Sequence, residues 1–123
     1  MFQKARAAQR QLKVGAMATK VVVDMPLCGY KTIITAEKSS SFVKIKIESD
    51  CEHVRRFNEA LDEIRMEDVT HFSSSRIIEV AGDYLTPSCL VPCGIMNAAR
   101  IEFGLISKKR ALKSKELKIV FEG

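Results

Sequence analysis

The sequence predicts an α+β domain in which an antiparallel sheet of three or four strands is covered on one face by two or three helices. The first half is rich in β-branched residues and holds three short strand-like segments separated by turns. After Ser49 the apolar spacing changes from every second residue to every third or fourth, which is typical of helices. A length of 123 residues suits one domain. We therefore expect a flexible basic extension at 1–18 and a single domain at 19–123.

The three predicted strands are 19–25, 30–37 and 42–48. The first two are short and β-branched, and the third alternates between apolar residues on one face and charged residues on the other. The polar link 38–41 has the length of a hairpin loop. This pattern predicts an antiparallel meander with one face in water.

The first predicted helix begins at Ser49. Ser49 and Glu52, three residues apart, fit a capping box. This placement puts Cys51 in the first turn of the helix. The apolar positions that follow fall on one stripe, formed by Val54, Phe57, Leu61 and Ile64.

Two further helices and a last strand are predicted in the second half. Residues 75–85 suggest a short helix that contains Gly82 and ends before Pro87. Pro92 suits the first position of a buried helix that Gly104 ends with a left-handed residue. The segment 106–114 is interpreted as a basic connector, and 116–121 as a short strand on a sheet edge.

Two basic ends flank an acidic body in a chain of net charge +5. Residues 1–20 carry five bases and no acid, and residues 108–123 carry six bases and two acids. Such ends either bind a polyanion or are simply solvated tails. Since no aromatic stacking motif accompanies the bases, nucleic acid is not the favoured partner.

Nothing in the sequence indicates a membrane or secreted protein. No apolar run approaches the roughly 20 residues that span a bilayer, and no apolar segment follows the basic N-terminus as in a signal peptide. We therefore expect a cytoplasmic protein.

The candidate functional residues are the four cysteines. In an intracellular chain of this size, cysteines indicate metal, cluster or redox chemistry rather than disulfides. They do not form the paired C-x2-C motifs of a zinc ribbon. Two of them are predicted in first helical turns, where backbone N–H groups and the helix dipole favour a thiolate. The four are Cys28, Cys51, Cys89 and Cys93.

The predicted topology allows the four sulfurs to converge. Cys28 lies at a bend at one end of the sheet, and Cys51 follows the third strand. If both helices begin at that end, Cys89 and Cys93 join them. Because soft thiolates select zinc and iron–sulfur clusters, either would suit such a site. The alternative is that some are buried free thiols that pack as small apolar residues.

The order of these features resembles a known family. Cys28-Gly29 is followed by two strands, Cys51 opens a helix, and Cys89 precedes a final buried helix, with cysteine separations of 23 and 38 residues. Over about residues 19–104 the chain resembles the scaffold proteins of iron–sulfur cluster assembly, of the IscU and NifU N-terminal type. The resemblance implies that Cys28, Cys51 and Cys89 hold a cluster, and that a cluster donor or acceptor protein is the partner.

Two positions depart from that family. The scaffolds carry an acidic residue two positions after the first cysteine, where this chain has Tyr30. That acid helps to keep the cluster labile, so its absence puts transfer in doubt and suits more stable ligation. Cys93 is an additional cysteine and a candidate fourth ligand.

A second resemblance rests on three short pieces of the chain. They are similar to a group of uncharacterised small proteins of methanogenic archaea and anaerobic bacteria, a likeness that implies no known activity. The pieces are Cys28-Gly29-Tyr30, Ser49-Asp50-Cys51 and Cys89-Leu90-Val91-Pro92.

Other residues and motifs add little chemistry. Asp50 and His53 are weak auxiliary ligands, and Asp50 better suits a pairing with the helix dipole. His53 better suits an exposed helix face, and His71 lies in a polar segment. There is no G-x-G-x-x-G, P-loop or G-x-S-x-G motif, so a self-contained enzyme is not the favoured reading.

Two other functions stay open at this level. Cys89 and Cys93 could form a reversible disulfide in a thiol redox protein, although C-x3-C is not the thioredoxin spacing. Alternatively, the cysteines are structural and the basic ends bind a polyanion or a protein.

Overall fold

The computed structural model describes residues 18–123, and these residues form the predicted α+β fold. All but one residue of the expected basic extension 1–18 lie outside the described part. The four strands are β1 (Thr19–Met25), β2 (Tyr30–Ser39), β3 (Phe42–Ser49) and β4 (Ile64–Arg65). The four α-helices described are α1 (Glu52–Ala60), α2 (Arg76–Tyr84), α3 (Val91–Glu102) and α4 (Lys108–Ser114). Two 3₁₀ turns, Met66–Val69 and Phe72–Ser74, lie between β4 and α2.

The sheet is antiparallel, with the strand order β1-β2-β3-β4. Because β1 and β3 both pair with β2, they run in the same direction and end at the same end of the sheet. The register places Met25 opposite Tyr30 and Ser49 opposite Thr32 at that end. The segments that follow β1 and β3 therefore leave the same end of the sheet, about 10 Å apart because β2 lies between the two strands.

The core lies between one face of the sheet and the helices. Ile34 and Val43 of the sheet are fully buried, as are Phe57 of α1, Ile77 of α2 and Ile95 of α3. Helices α1 and α3 pack directly on the strands, and α2 packs on both helices. The other face of the sheet presents alternating charged side chains to solvent, as predicted.

Helix α3 runs antiparallel to β1. At its C-terminal end, the Glu102 carboxylate accepts hydrogen bonds from Thr19 Oγ1 at 2.5 Å and from the Lys38 N–H at 3.0 Å. Towards its N-terminal end, Gly94 lies so close to the sheet that an added Cβ would stand 2.5 Å from Val23 Cγ2 and 3.0 Å from Ile34 Cδ1. Since Thr19 begins β1, the N-terminus of α3 points to the end of the sheet where β1 and β3 terminate.

The first helix starts later and ends earlier than predicted. Ser49 is the last residue of β3 rather than a helix cap, because its hydroxyl accepts hydrogen bonds from Thr32 Oγ1 and from the Cys51 N–H. Cys51 is the N-cap residue, and the helix ends at Ala60. Ile64, the last residue of the predicted apolar stripe, therefore lies beyond the helix. It belongs to β4, where it is buried and pairs with Val43.

The C-terminal predictions also need correction. The segment 106–114 is not merely a connector, because α4 begins there with Ser107 as its cap. The predicted strand 116–121 is wrong, since this segment has no regular structure and pairs with no strand among residues 18–123. Its apolar side chains are 62–78% exposed.

The second and third helices are confirmed. Ser75 caps α2 by accepting a hydrogen bond from the Ile78 N–H. Pro92 lies in the first turn of α3, at its second position, and Gly104 follows the helix with the expected positive φ of 79°. Within residues 18–123, none of the helices has the length and apolar character needed to cross a bilayer.

Candidate functional site

Cys28 lies in the turn between β1 and β2. The N–H groups of Cys28 and Gly29 both donate to the Met25 carbonyl, and Gly29 adopts a positive φ of 80° that closes the turn. The thiol of Cys28 is exposed and donates a 3.6 Å hydrogen bond to the same carbonyl. The sequence-predicted bend is therefore confirmed, and its sulfur is accessible to solvent.

Cys51 occupies the junction between β3 and α1. It is half-buried, it packs against the edge of the core, and its backbone has the extended conformation of an N-cap residue. Its N–H donates to Ser49 Oγ at 3.2 Å, which fixes the backbone as the chain leaves the strand. Cys51 was predicted in the first turn of the helix, and it lies instead at the N-cap, one position before the first helical residue.

Cys89 lies just before α3 and is also half-buried against the core. Burial raises the pKa of its thiol above the ordinary value, a hydrogen bond from the Val91 N–H lowers it, and the negative charges of Cys51 and Cys28 raise it further. Cys28 and Cys51 therefore lie within the range at which their charges act on the Cys89 thiol. The protonated form of the Cys89 thiol is thereby favoured.

Three of the four cysteines therefore lie at one corner of the molecule. Cys28 follows β1, Cys51 follows β3, and Cys89 precedes the end of α3 that points in the same direction. We call these three residues the cysteine corner.

Cys93 differs in its contacts from the three residues of the cysteine corner. It is exposed in the first turn of α3, and Asn97, one turn further on, donates to its carbonyl at 2.9 Å and to its sulfur at 3.5 Å. Asn97 was not identified from the sequence, although its spacing of four residues from Cys93 on a predicted helix was the available signal. The two thiols whose charge raises the pKa of Cys89 are those of Cys51 and Cys28.

The helices that begin at the cysteine corner differ from the other two in their capping. Neither Cys51 of α1 nor Leu90 of α3 makes a side-chain cap hydrogen bond. By contrast, Ser75 and Ser107 cap α2 and α4 with their hydroxyl groups. The positive ends of α1 and α3 therefore face the thiols without a capping side chain between them.

The side chains do not form a finished metal site as they stand. Among residues 18–123, no three His, Cys, Asp or Glu side chains are arranged so that they could hold a metal ion. The weak auxiliary candidates lie beside the corner, since Asp50 is exposed immediately before Cys51 and His53 is exposed in the first turn of α1. His71 lies elsewhere, exposed in the loop before α2, where its Nδ1 contacts Thr70 Oγ1.

A polar groove of about 940 Å³ lies away from the cysteine corner, between β3, β4 and α2. Its most buried carboxylate is that of Asp68, which accepts hydrogen bonds from the N–H groups of Arg65 and Arg76 at 2.8 and 3.0 Å. These bonds tie β4 to the start of α2. Asp68 therefore has a structural role.

Comparison with known proteins gives one match. Residues 19–114 match the model of a family of unknown function, DUF6951. No curated protein and no solved structure matches the chain. The resemblance to cluster-assembly scaffolds therefore stays a prediction.

Proposed function

Since the chain belongs to DUF6951, a family of unknown function, we propose from its own residues that it binds zinc or an iron–sulfur cluster through thiolates. The proposed ligands are Cys28, Cys51 and Cys89. In this proposal the protein acts in the cytoplasm as a scaffold, carrier or accessory protein rather than as a self-contained enzyme. A protein that donates or accepts the cluster is its expected partner.

The observation that carries the proposal is the convergence of three separate chain segments on one corner. The cysteines are 23 and 38 residues apart in the sequence, yet β1 and β3 end at the same end of the sheet and α3 begins towards that end. The charges of Cys28 and Cys51 also raise the pKa of the Cys89 thiol. Soft thiolates are the donors that zinc and iron–sulfur clusters prefer.

The electrostatics of the corner suit a bound cation. Burial raises the pKa of Cys89, and the negative charges of Cys51 and Cys28 raise it further, because neighbouring thiolates repel one another. A bound cation would reverse the repulsion. The uncapped N-termini of α1 and α3 and the Val91 N–H would offset part of the remaining negative charge.

Binding requires a rearrangement of side chains, and Cys28 is suited to it. Its thiol is exposed and is held by a 3.6 Å hydrogen bond to Met25, so rotation about χ1 exchanges a weak contact for a metal bond. Cys51 and Cys89 are half-buried and better fixed. Two fixed ligands and one adjustable ligand suit a site that closes on its metal.

The resemblance to IscU and NifU N-terminal scaffolds supports the same three ligands. Tyr30, which stands where those scaffolds have an acid, supports stable ligation rather than rapid transfer. Cys93 is a candidate fourth ligand only if its thiol leaves Asn97 and turns towards the corner.

Metal analysis of protein purified without oxygen tests the proposal. The wild-type chain is expected to contain about one equivalent of zinc or a cluster that absorbs visible light. Cys28→Ser, Cys51→Ser and Cys89→Ser should each lose most of it, whereas Cys93→Ser, the matched control, should retain it. Loss of metal in Cys93→Ser alone, or wild-type protein free of metal even after anaerobic reconstitution, contradicts the proposal.

A second candidate is a thiol redox pair formed by Cys89 and Cys93. It is favoured by the one-turn separation of the two residues at the start of α3, and by the Asn97 amide near the Cys93 sulfur. Mild oxidation would then remove these two thiols in metal-free protein and leave Cys28 and Cys51 reduced.

Polyanion binding by the basic ends is the third alternative. The affinity for a polyanion would then fall steeply with salt and survive replacement of all four cysteines.

A further inference from the structure

In the part of the chain that the structure describes, no strand pairs with the outer edge of β1. Within residues 18–123, β1 pairs with β2 on one side and with no strand on the other. Natural proteins usually cover or protect such an edge, because its unpaired N–H and C=O groups invite another strand. Val22, in the middle of β1, is 55% exposed on the outer face.

The C-terminal segment 116–122 is an apolar strand-like segment without a partner in the described chain. Leu117, Ile119 and Phe121 are 70–78% exposed, and Val120 is 62% exposed. The alternation of its residues is that of a half-buried strand. The segment therefore has the sequence pattern of a strand but pairs with no strand of the described chain.

The residues of the two segments match when they are aligned antiparallel. With Val120 opposite Val22, Lys118 falls opposite Asp24 and Glu122 falls opposite Lys20, so both charged pairs are attractive. The same register places Leu117, Ile119 and Phe121 on the inner face. There they lie opposite Met25, Val23 and Val21, of which the first and the last are only half-buried.

The opposite direction does not match. In a parallel alignment with Val120 beside Val22, Lys118 lies beside Lys20 and Glu122 lies beside Asp24. Like charges at neighbouring positions disfavour that pairing. The charges of the two segments therefore select one direction.

The chain's own tail is poorly placed to make this pairing. Antiparallel pairing puts Leu117 beside Met25, but α4 contacts the opposite end of β1, where Lys108 Nζ donates to the Ala18 carbonyl at 2.9 Å. The helix spans ~10 Å and the three residues after it another ~10 Å, together about the ~20 Å length of β1. An intramolecular pairing would need α4 to run straight along β1, and no residue of α4 is buried as close packing on that strand would require.

We propose that the segment 116–122 of one copy of this chain adds to the β1 edge of a second copy, antiparallel and reciprocally, to form a two-fold dimer. Each copy would supply one added strand, so the sheet of each would gain a fifth strand. In the described state, Lys118 pairs with Glu116 at 3.0 Å on the surface, an exposed ion pair that is easily exchanged.

Sedimentation equilibrium of the full chain tests the proposal. The full chain is expected to sediment as a dimer, and a chain that ends at Ser114 as a monomer. Alternate amide hydrogens of 117–122, those that point to β1, should exchange slowly in the dimer. The full chain sedimenting as a monomer at all concentrations, or the shortened chain remaining a dimer, overturns the proposal.

A charge exchange tests the register without removing the tail. Lys118→Asp should raise the dimer dissociation constant about ten-fold, because two symmetry-related pairs with Asp24 become repulsive. Asp24→Lys should do the same, and the double variant should return to within about two-fold of wild type. Lys109→Asp, an equal charge change on α4 outside the register, is the matched control and should have little effect.

Two further outcomes would contradict the proposal. A monomer whose tail amides are protected would mean that the tail pairs within its own chain. Effects of the two charge variants that add up rather than cancel in the double variant would mean that Lys118 and Asp24 are not opposite one another.

Discussion

The two ends of α3 are built differently. The C-terminal end is fixed to the sheet and its neighbours by the Glu102 carboxylate, by Arg100 Nη1, which donates to the Val69 carbonyl at 2.5 Å, and by the left-handed Gly104. The N-terminal end has no side-chain cap, and it carries Cys89 half-buried and Cys93 exposed. One end is thus bound by hydrogen bonds to the domain, whereas the other presents backbone N–H groups and sulfur.

The same contrast separates α1 and α2. The α2 helix begins with a serine that caps it, while α1 begins with a cysteine that does not. Serine is among the best N-cap residues, and cysteine is not among the preferred ones. The two helices that open at the cysteine corner therefore lack a stabilising feature that the other two possess.

Gly94→Ala should have the largest effect on stability, because the added methyl group would push α3 away from the sheet. The new Cβ would overlap Val23 Cγ2 in the buried face, and we expect a loss of about 2 kcal/mol in the free energy of unfolding. Urea denaturation measures it. Gly82→Ala in α2, where an added Cβ meets nothing within 4 Å, is the control and should stabilise by about 0.5–1 kcal/mol. Equal effects of the two substitutions would refute the close approach of α3 to the sheet.

Glu102→Ala should weaken the attachment of the C-terminal end of α3 to the sheet. It removes the acceptor of two hydrogen bonds and leaves the buried Thr19 hydroxyl without that partner, so we expect a loss of about 1–2 kcal/mol in unfolding free energy. Glu59→Ala, an exposed glutamate of α1, should change it by less than about 0.5 kcal/mol. Metal content should be unchanged in both variants, and a loss confined to Glu102→Ala would show that the two ends are not independent.

Cys51→Ser should have opposite effects on stability and on metal binding. Serine at this N-cap position can accept a hydrogen bond from the first turn, so the metal-free protein is expected to gain about 0.5–1 kcal/mol while metal binding is lost. The matching Ser75→Ala should lose about 1 kcal/mol, because it removes an existing cap. Thermal unfolding of metal-free samples distinguishes the two. A destabilised Cys51→Ser would mean that the thiol packs better than its exposure indicates.

The smallest expected effect is a pH dependence of the unfolding free energy that arises from Cys89, at the N-terminal end of α3. The raised pKa of Cys89 means that its contribution to stability is complete below the ordinary thiol pKa of about 8.5 and is lost as the pH rises through the raised value. The unfolding free energy of the metal-free wild type should therefore fall in this alkaline range more steeply than that of Cys89→Ser. Parallel pH profiles of the two proteins would contradict the half-buried placement of the thiol.

The fold was largely predictable because its signals are local. Alternation in β3, the apolar spacing around Phe57, and the Pro92 and Gly104 boundaries of α3 all act within a few residues. The predicted boundaries of the first helix were wrong because residues that are distant in the sequence determine where that helix begins and ends. Ser49 stays in its strand because Thr32 lies opposite, and Ile64 leaves the helical stripe because Val43 pairs with it.

The candidate site could be predicted in part. The position of each cysteine beside a turn or a helix start follows from neighbouring Gly, Pro and Asp residues, and the common direction of β1 and β3 follows from the meander. The direction of α3 could not be predicted, since it depends on Glu102 reaching Thr19 across 83 residues. Nor did the spacing alone separate Cys93 from the other three, a distinction that rests on side-chain contacts with Asn97.

The most direct test of the cysteine corner is residue-by-residue thiol protection by metal. Metal-free protein, reduced and kept without oxygen, is treated with an alkylating reagent before and after one equivalent of Zn²⁺, and each cysteine is quantified by mass spectrometry. We expect zinc to protect Cys28, Cys51 and Cys89 and to leave Cys93 reactive. Equal reactivity of all four cysteines with and without zinc, or protection of Cys93 without Cys28 and Cys51, would contradict the proposal.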